Sequence, residues 1–276
     1  LCLAAHPPRT NDGLAALAHC QNCGGHSLRR LGAETLRSTL FVKQALITGA
    51  SGGLGGALAS ALCQSGQYRV IGTYHLRQPS WTHAAMTWRH LDIHDPDKLK
   101  SCLDDIPRID LLVNTIGILA TDDIKPEKSL RQFTTENLLA AVSANTAPLL
   151  NLASHAASAL KNAPNPAIIA LSARVGSIAD NHLGGWYSYR CSKAALNMAV
   201  KTLAIEWQRT LPHATLVAYH PGTVKTGLSA PFTARAHPDS LFSPDIAAGF
   251  LIDLIATLRP EHSGTFWDWQ GQQIPW

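Results

Sequence analysis

The sequence predicts one doubly wound α/β domain, with a parallel sheet, over residues 42–276. Three observations carry that expectation. From Lys43 onward, short strand-type apolar runs alternate with longer helical patterns, as successive βαβ units require. The first such run stops at a glycine cluster that opens directly into an alanine- and leucine-rich helix. Apolar residues make up 46% of the chain and charged ones 15%, so 276 residues suffice to bury the core of a single α/β domain.

The first strand is read at 43–48, from Ala45-Leu46-Ile47 bounded by Thr48-Gly49. A helix at 53–65 follows, and then strands at 68–74 and 86–91, both rich in β-branched and aromatic residues. A helix at 95–104 leads to the strand at 110–113, and one long helix is read over 134–161. Strands at 166–172 and 214–219 flank a helix at 188–209. The last helix, 244–258, starts at Ser243-Pro244-Asp245 with proline at its first position, and the last strand is 264–267. Right-handed crossovers then gather the loops at the carboxyl ends of the strands, where ligands of such sheets bind. No repeat or interdomain linker interrupts the pattern.

Two segments carry chemistry. In Gly49-Ala50-Ser51-Gly52-Gly53-Leu54-Gly55, glycines allow positive φ and let the backbone approach a pyrophosphate, whose charge meets the free N–H groups of the following helix. The spacing is Gly-x-x-x-Gly-x-Gly, which differs from the Gly-x-Gly-x-x-Gly fingerprint, and an ordinary glycine-rich turn is the competing reading. Farther on, Tyr189 and Lys193 stand four residues apart in a helical stretch, on one face. A free phenol titrates near pH ~10, so a neighbouring ammonium that stabilises the phenolate makes a tyrosine a usable acid–base at neutral pH. Tyr187 has Cys191, not lysine, four residues on and is rejected for that role.

Together these segments resemble the short-chain dehydrogenase/reductase family, whose signature is Thr-Gly-x-x-x-Gly-x-Gly near the start and Tyr-x-x-x-Lys later. Leu91-Asp92-Ile93 resembles the segment whose Asp contacts the adenine ring. Asn114-Thr115-Ile116-Gly117 resembles Asn-Asn-Ala-Gly with two substitutions, and Asn145 falls where the family carries its helix asparagine. Pro221-Gly222-Thr223-Val224-Lys225-Thr226 resembles the segment that covers the nicotinamide. The likeness spans about residues 42–276. Arg174-Val175-Gly176-Ser177-Ile178, Leu183 to Arg190 and Phe266-Trp267-Asp268-Trp269 resemble the C-factor and sniffer-like carbonyl reductase branch.

The resemblance implies a Rossmann fold and an NAD(P)-dependent oxidoreductase that passes hydride between nicotinamide and a small carbonyl or alcohol substrate. Tyr189 is then the general acid–base, assisted by Lys193, with Asn145 holding a water that links Lys193 to solvent. Alternatively, Asn145 bonds only backbone. Implied cofactor contacts are Thr48, Gly49, Ser51, Gly53, Leu54, Gly55, Asp92, Ile93, Asn114, Gly117, Pro221, Gly222, Val224 and Thr226. The end of the second strand carries no acid; His75 and Arg77 there favour NADP(H) over NAD(H), unless both are merely solvated. One departure stands out. Most relatives carry a serine three residues before the glycine that follows the fifth strand, and here that residue is Ala173. Ser177 is preferred to Ser172 as the substitute oxyanion donor, with backbone or water as further options. Residues 174–187 and 224–242 are expected to line the substrate pocket. In the latter, Pro231, Phe232 and Pro238 suggest a lid, while Trp186 and Phe232 suggest an apolar or aromatic substrate, with core packing as the competing reading.

A rival reading is a nucleotide-binding signalling protein of C-factor type, which an intact Tyr189–Lys193 pair disfavours. A dehydratase or epimerase would need a further acid–base pair. Net charge is +4, from 23 basic and 19 acidic residues, without a basic stripe for nucleic acid. No run of about 18 apolar residues suggests a membrane span. Leu1 to Ala5 is too short for a secretory core, so a cytoplasmic location is expected, and homo-oligomerisation is left open. Residues 1–41 are expected to be a disordered leader or the product of a mis-assigned start, with a regulatory extension as the alternative. Cys20-x-x-Cys23 beside His19 and His26 lacks a second ligand pair, so no metal is expected. Cys63 and Cys102 are expected to pack as small apolar groups, and Cys191 to be accessible to thiol reagents.

Overall fold

Alternating buried side chains on adjacent strands build the centre of the molecule. In a computed structural model that describes residues 42–121, 124–230 and 241–276, seven parallel strands form one sheet. They are Lys43–Thr48 (β1), Tyr68–Tyr74 (β2), Met86–His90 (β3), Leu111–Asn114 (β4), Ala167–Leu171 (β5), Thr215–His220 (β6) and Thr265–Asp268 (β9). Their order is β3-β2-β1-β4-β5-β6-β9. Both faces are covered. Leu46, Leu112, Ile168 and Leu216 pack on one side with Leu99, Leu149, Leu196 and Val200. Ile47, Val113, Ile169 and Val217 pack on the other with Leu54, Leu58, Leu251 and Leu254. The two-residue side-chain period explains why each strand feeds both clusters, and burial on both faces explains why the strands read as nearly continuous apolar runs.

The helices are Gly53–Gln64 (α1), Pro96–Leu103 (α2), Thr135–Asn145 (α3), Ala147–Lys161 (α4), Tyr187–Thr210 (α5) and Pro244–Thr257 (α6). Asp95 caps α2 by accepting from the Asp97 and Lys98 amides at 3.0 and 3.2 Å. Ser243 caps α6 through the Ile246 amide at 3.3 Å, so the expected helix start is correct. Cys63 and Cys102 are buried on α1 and α2, as expected, and Cys191 is exposed.

The expected single helix over 134–161 is two helices. Thr146, at φ −106° and ψ −51°, separates α3 from α4. Pro148 lies in the first turn of α4, where its missing N–H removes no helical bond; in an unbroken helix it would have removed one. The Thr146 hydroxyl instead donates to the Ser192 carbonyl at 2.8 Å, tying the break to α5. A small parallel pair, Thr223–Val224 (β7) with Leu241–Phe242 (β8), was not expected.

Parallel register brings the strand ends level: Thr48 pairs with Asn114, Asn114 with Ala170, Leu171 with Tyr219, and His220 with Asp268. Among the described residues, no helix is long and apolar enough to cross a membrane. The readings made for residues 1–41, including the Cys20–Cys23 pair, and for Pro231, Phe232 and Pro238 fall outside the described residues.

Candidate active site

A cleft of about 940 Å³ opens at the carboxyl ends of the strands. One wall is the turn from β1 into α1, where Gly49, Ser51, Gly53, Leu54 and Gly55 line the cavity. Gly49 has φ +74°, and a Cβ placed there would sit 2.8 Å from the Thr115 hydroxyl oxygen. Only glycine meets both demands. Thr48 and Asn114 lie beneath this turn, both buried, with the Thr48 hydroxyl donating to Asn114 Oδ1 at 2.9 Å. Asn114 Oδ1 also accepts the Ile116 amide at 3.2 Å, while the Thr115 hydroxyl donates to the Thr48 carbonyl at 2.7 Å. These bonds lock the β1 and β4 ends together. Thr48 and Asn114 therefore support the cradle without lining it.

The opposite wall comes from α5. Lys193 is 4% exposed; its Nζ donates to the Leu171 carbonyl at 2.9 Å and lies 5.8 Å from the centroid of the Tyr189 ring. Both residues line the cleft. Burial pulls the Lys193 ammonium down to about 8 and pushes the Tyr189 phenol above its ordinary value. Desolvation, not the lysine's charge, thus governs Tyr189 in the protein itself. The expected lowering of the phenol by Lys193 is not what this arrangement produces.

Asn145 ends α3 fully buried. Its Oδ1 accepts the Ile118 amide at 2.8 Å, and its Nδ2 donates to the Ile118 carbonyl at 3.0 Å and to the Ser192 hydroxyl at 2.9 Å. The side chain therefore clamps the loop after β4 to α5 and has little capacity left for a water. A Cβ on Gly117 would fall 2.8 Å from Asn145 Oδ1 and 3.4 Å from Lys193 Nζ. Gly117, Asn145 and Lys193 are accordingly gathered at one point.

The serine preference is reversed in placement. Ser177 does not line the cleft: its hydroxyl donates to the Pro275 carbonyl at 2.5 Å and accepts the Asp180 amide at 3.1 Å. Around Ser177 and Ala179 the loop after β5 bonds the carboxyl-terminal segment, whereas Arg174, Val175 and Trp186 of the same loop line the cleft. Ser172 does line the cleft beside Ala173, although its hydroxyl donates to Asn197 Oδ1 at 2.6 Å.

Pro221, Gly222, Val224 and Thr226 also line the cleft. His75, Arg77, Asp92 and Ile93 stand apart from the cleft lining, beyond the ends of β2 and β3. His75 and Arg77 are exposed; His75 Nε2 lies 3.8 Å from Asp92 Oδ2. The His94 amide, at 3.0 Å, holds the Asp92 carboxyl below its ordinary value, with His75 adding to the effect. Ile93 is buried in the core.

Sequence reasoning expected Arg174 in the lining but missed His220 and, in the loop after β4, Leu119, Pro126 and Lys128. Arg174 reaches Asp268 at 2.8 Å and Asp180 at 3.6 Å. His220, beside it, is lowered to about 4, first by burial and then by the Arg174 charge, and stays neutral at physiological pH. Its position as the last residue of β6, directly before Pro221, was the available signal. Of the residues expected to line the substrate end, Arg174, Val175, Trp186, Val224 and Thr226 to Ser229 do so, joined by Leu119, Pro126 and Lys128 from the loop after β4.

The comparisons with known proteins agree with this geometry. The short chain dehydrogenase family profile matches residues 43–236. The C-signal protein of Myxococcus xanthus is 34% identical over 173 residues, 61% of this chain and 93% of that protein. The NADPH-bound carbonyl reductase from chicken fatty liver superposes with TM-score 0.74 at 26% identity, covering 85% of this chain and 99% of that one. The carbonyl reductase Sniffer of D. melanogaster superposes with TM-score 0.72 at 25% identity, covering 86% and 100%. With a glycine-lined cradle, a seven-stranded parallel sheet and a family match over most of its length, this chain belongs to the short-chain dehydrogenase/reductase family of oxidoreductases.

Proposed function

We propose that the protein reduces a small carbonyl compound with NADPH, Tyr189 serving as the proton donor. The observation that carries this reading is the Tyr189–Lys193 pair on the wall of the cleft that the glycine cradle opens into. The cradle fits a dinucleotide: Gly49 leaves room that any Cβ would fill, and the start of α1 offers free N–H groups to a pyrophosphate. Gly49, Ser51, Gly53, Leu54 and Gly55 would hold that pyrophosphate, Lys193 the nicotinamide ribose, and Pro221, Gly222, Val224 and Thr226 the nicotinamide face. His75 and Arg77 would meet the 2′-phosphate, and Asp92 the adenine. The likeness to the NADPH-bound carbonyl reductase and to the carbonyl reductase Sniffer supports a nicotinamide cofactor and a carbonyl substrate.

Bound there, the reduced nicotinamide supplies a hydride. Tyr189 Oη gives a proton to the substrate oxygen as charge develops on it, and burial keeps the phenol protonated until then. Lys193, poised at about 8, exchanges protons near neutral pH and offers its charge to the phenolate that forms. Asn145 holds the backbone of Ile118 so that Gly117 stays level with Lys193. Ala173 contributes no hydroxyl, so Tyr189 carries more of the oxyanion stabilisation than it would beside a serine. Leu119, Pro126, Val175 and Trp186 favour an apolar or aromatic body on the substrate.

Tyr189→Phe tests the assignment. It is expected to remove most carbonyl-dependent NADPH oxidation across a panel of aldehydes, ketones and quinones, while NADPH affinity stays within a few-fold. Undiminished turnover refutes it. A second reading, a nucleotide-binding signalling protein with little turnover, is favoured by the C-signal relative and by the absence of the serine at Ala173. NADPH binding without reduction of any panel member would select it.

A further inference from the structure

We propose that Glu127 is a positioning residue that fixes the first turn of α5, and through it the placement of Tyr189 and Trp186; this rests on the reading of Tyr189 as proton donor. Among the described residues three carboxylates are buried: Asp110, Glu127 and Asp268. Asp110 is paired with Arg108 and Asp268 with Arg174. Glu127, 1% exposed, has no such cation among the described residues. Its partners are the amide of Ser188, at 3.1 Å, and the Ser188 hydroxyl. Ser188 is the second residue of α5, directly before Tyr189.

Carboxylates are favoured at helix N-termini, where unsatisfied amides gather and the helix dipole is positive. They normally come from the preceding residue or the first turn. Here the preceding residue is Trp186, whose side chain caps nothing, and the first turn holds no acid. Glu127 supplies the missing cap from 61 residues upstream. The same residue acts a second time, because its main-chain carbonyl accepts the Trp186 amide at 2.6 Å. Trp186 is the one non-glycine residue with positive φ among those described, at 52°, a conformation that Cβ sterics disfavour. Its ring packs edge-on against Tyr189, with centroids 6.1 Å apart, and lines the cleft. One buried residue therefore holds both the strained wall and the turn that carries the phenol. Lys193 lies a turn deeper and is held independently by the Leu171 carbonyl. Loosening the first turn should accordingly disturb proton donation more than cofactor affinity.

The test compares Glu127→Gln, Glu127→Ala and Ser188→Ala with the unchanged full chain by hydrogen exchange, NADPH titration and steady-state kinetics. In Glu127→Ala the amides of residues 187–190 should exchange at least tenfold faster, while those of β1 and β4 keep their rates. Turnover number should fall at least tenfold, with NADPH Kd within threefold. Glu127→Gln, which keeps the shape without the charge, should fall between, and Ser188→Ala should show a weaker form of the same split. If Glu127→Ala does not fold, the other two variants decide the matter by the same criteria. Unchanged exchange in the first turn, turnover within twofold, or NADPH affinity lost in step with turnover would overturn the proposal. Exchange does not depend on activity, so failure of the carbonyl reductase reading would appear separately, as an unchanged protein that binds NADPH and reduces nothing.

Discussion

Lys193 should cost the protein stability at neutral pH, and replacing it by methionine should recover part of that cost. Burial lowers its pKa from the ordinary 10.5 to about 8. At roughly 1.4 kcal/mol per pH unit, that gap is a penalty of about 3 kcal/mol for keeping the ammonium buried. Methionine also forfeits the charge-assisted bond from Nζ to the Leu171 carbonyl, worth roughly 2 kcal/mol net. The expected gain for Lys193→Met at pH 7 is therefore about 1 kcal/mol, or roughly 2–4 °C in Tm for a domain of this size. The sign with pH follows from which state holds the proton more tightly. The folded pKa lies below the unfolded one, so the penalty is complete below pH 8 and fades as pH rises from about 8 to 10.5. Urea unfolding of both proteins at pH 7 and pH 10 measures this, and the variant's advantage should shrink by more than half at the higher pH. A variant less stable than the unchanged protein at pH 7, or an advantage independent of pH, would refute the reasoning. The same variant should reduce no carbonyl.

Three further outcomes are expected. NADPH should be preferred to NADH, and His75→Ala with Arg77→Ala should narrow the preference, because a 2′-phosphate needs cationic partners and a hydroxyl does not; equal kcat/KM for both cofactors in the unchanged protein would contradict this. Ser172→Ala should lower turnover more than Ser177→Ala, whereas Ser177→Ala should lower stability by about 1 kcal/mol through its bonds to Pro275 and Asp180; kinetics at saturating NADPH beside a thermal melt separates the two effects. Gly117→Ala should destabilise by roughly 1–3 kcal/mol and depress turnover, since its methyl would displace Asn145 Oδ1; a normal melt with normal turnover would show that the loop yields freely.

What the sequence made legible was set by the range of the interactions involved. The seven strands of the main sheet lie within one residue of their expected limits, because a parallel strand buried on both faces announces itself through its own apolar run. Most of the glycine cradle and the Tyr189–Lys193 pair were legible for the same reason: each is a local spacing. The long helix was misread at Pro148, where apolar periodicity outweighed a proline whose place at a helix start was the better clue. Ser177 was misplaced because its partner is the Pro275 carbonyl, 98 residues away, which no local pattern encodes. Glu127 was missed similarly, since Lys125-Pro126-Glu127-Lys128 reads as a solvated loop until its contact with Ser188, 61 residues on, is seen.

The same distinction bears on the proton donor. Spacing put a phenol beside an ammonium and suggested that the cation lowers the phenol's pKa. Burial, which spacing does not report, drives each group toward its neutral form, raising Tyr189 and bringing Lys193 to about 8. A phenol that stays protonated is the form required to donate in reduction, whereas oxidation of an alcohol needs the phenolate. The free energy that would make Tyr189 a base must come from Lys193, whose charge is already shared with the Leu171 carbonyl.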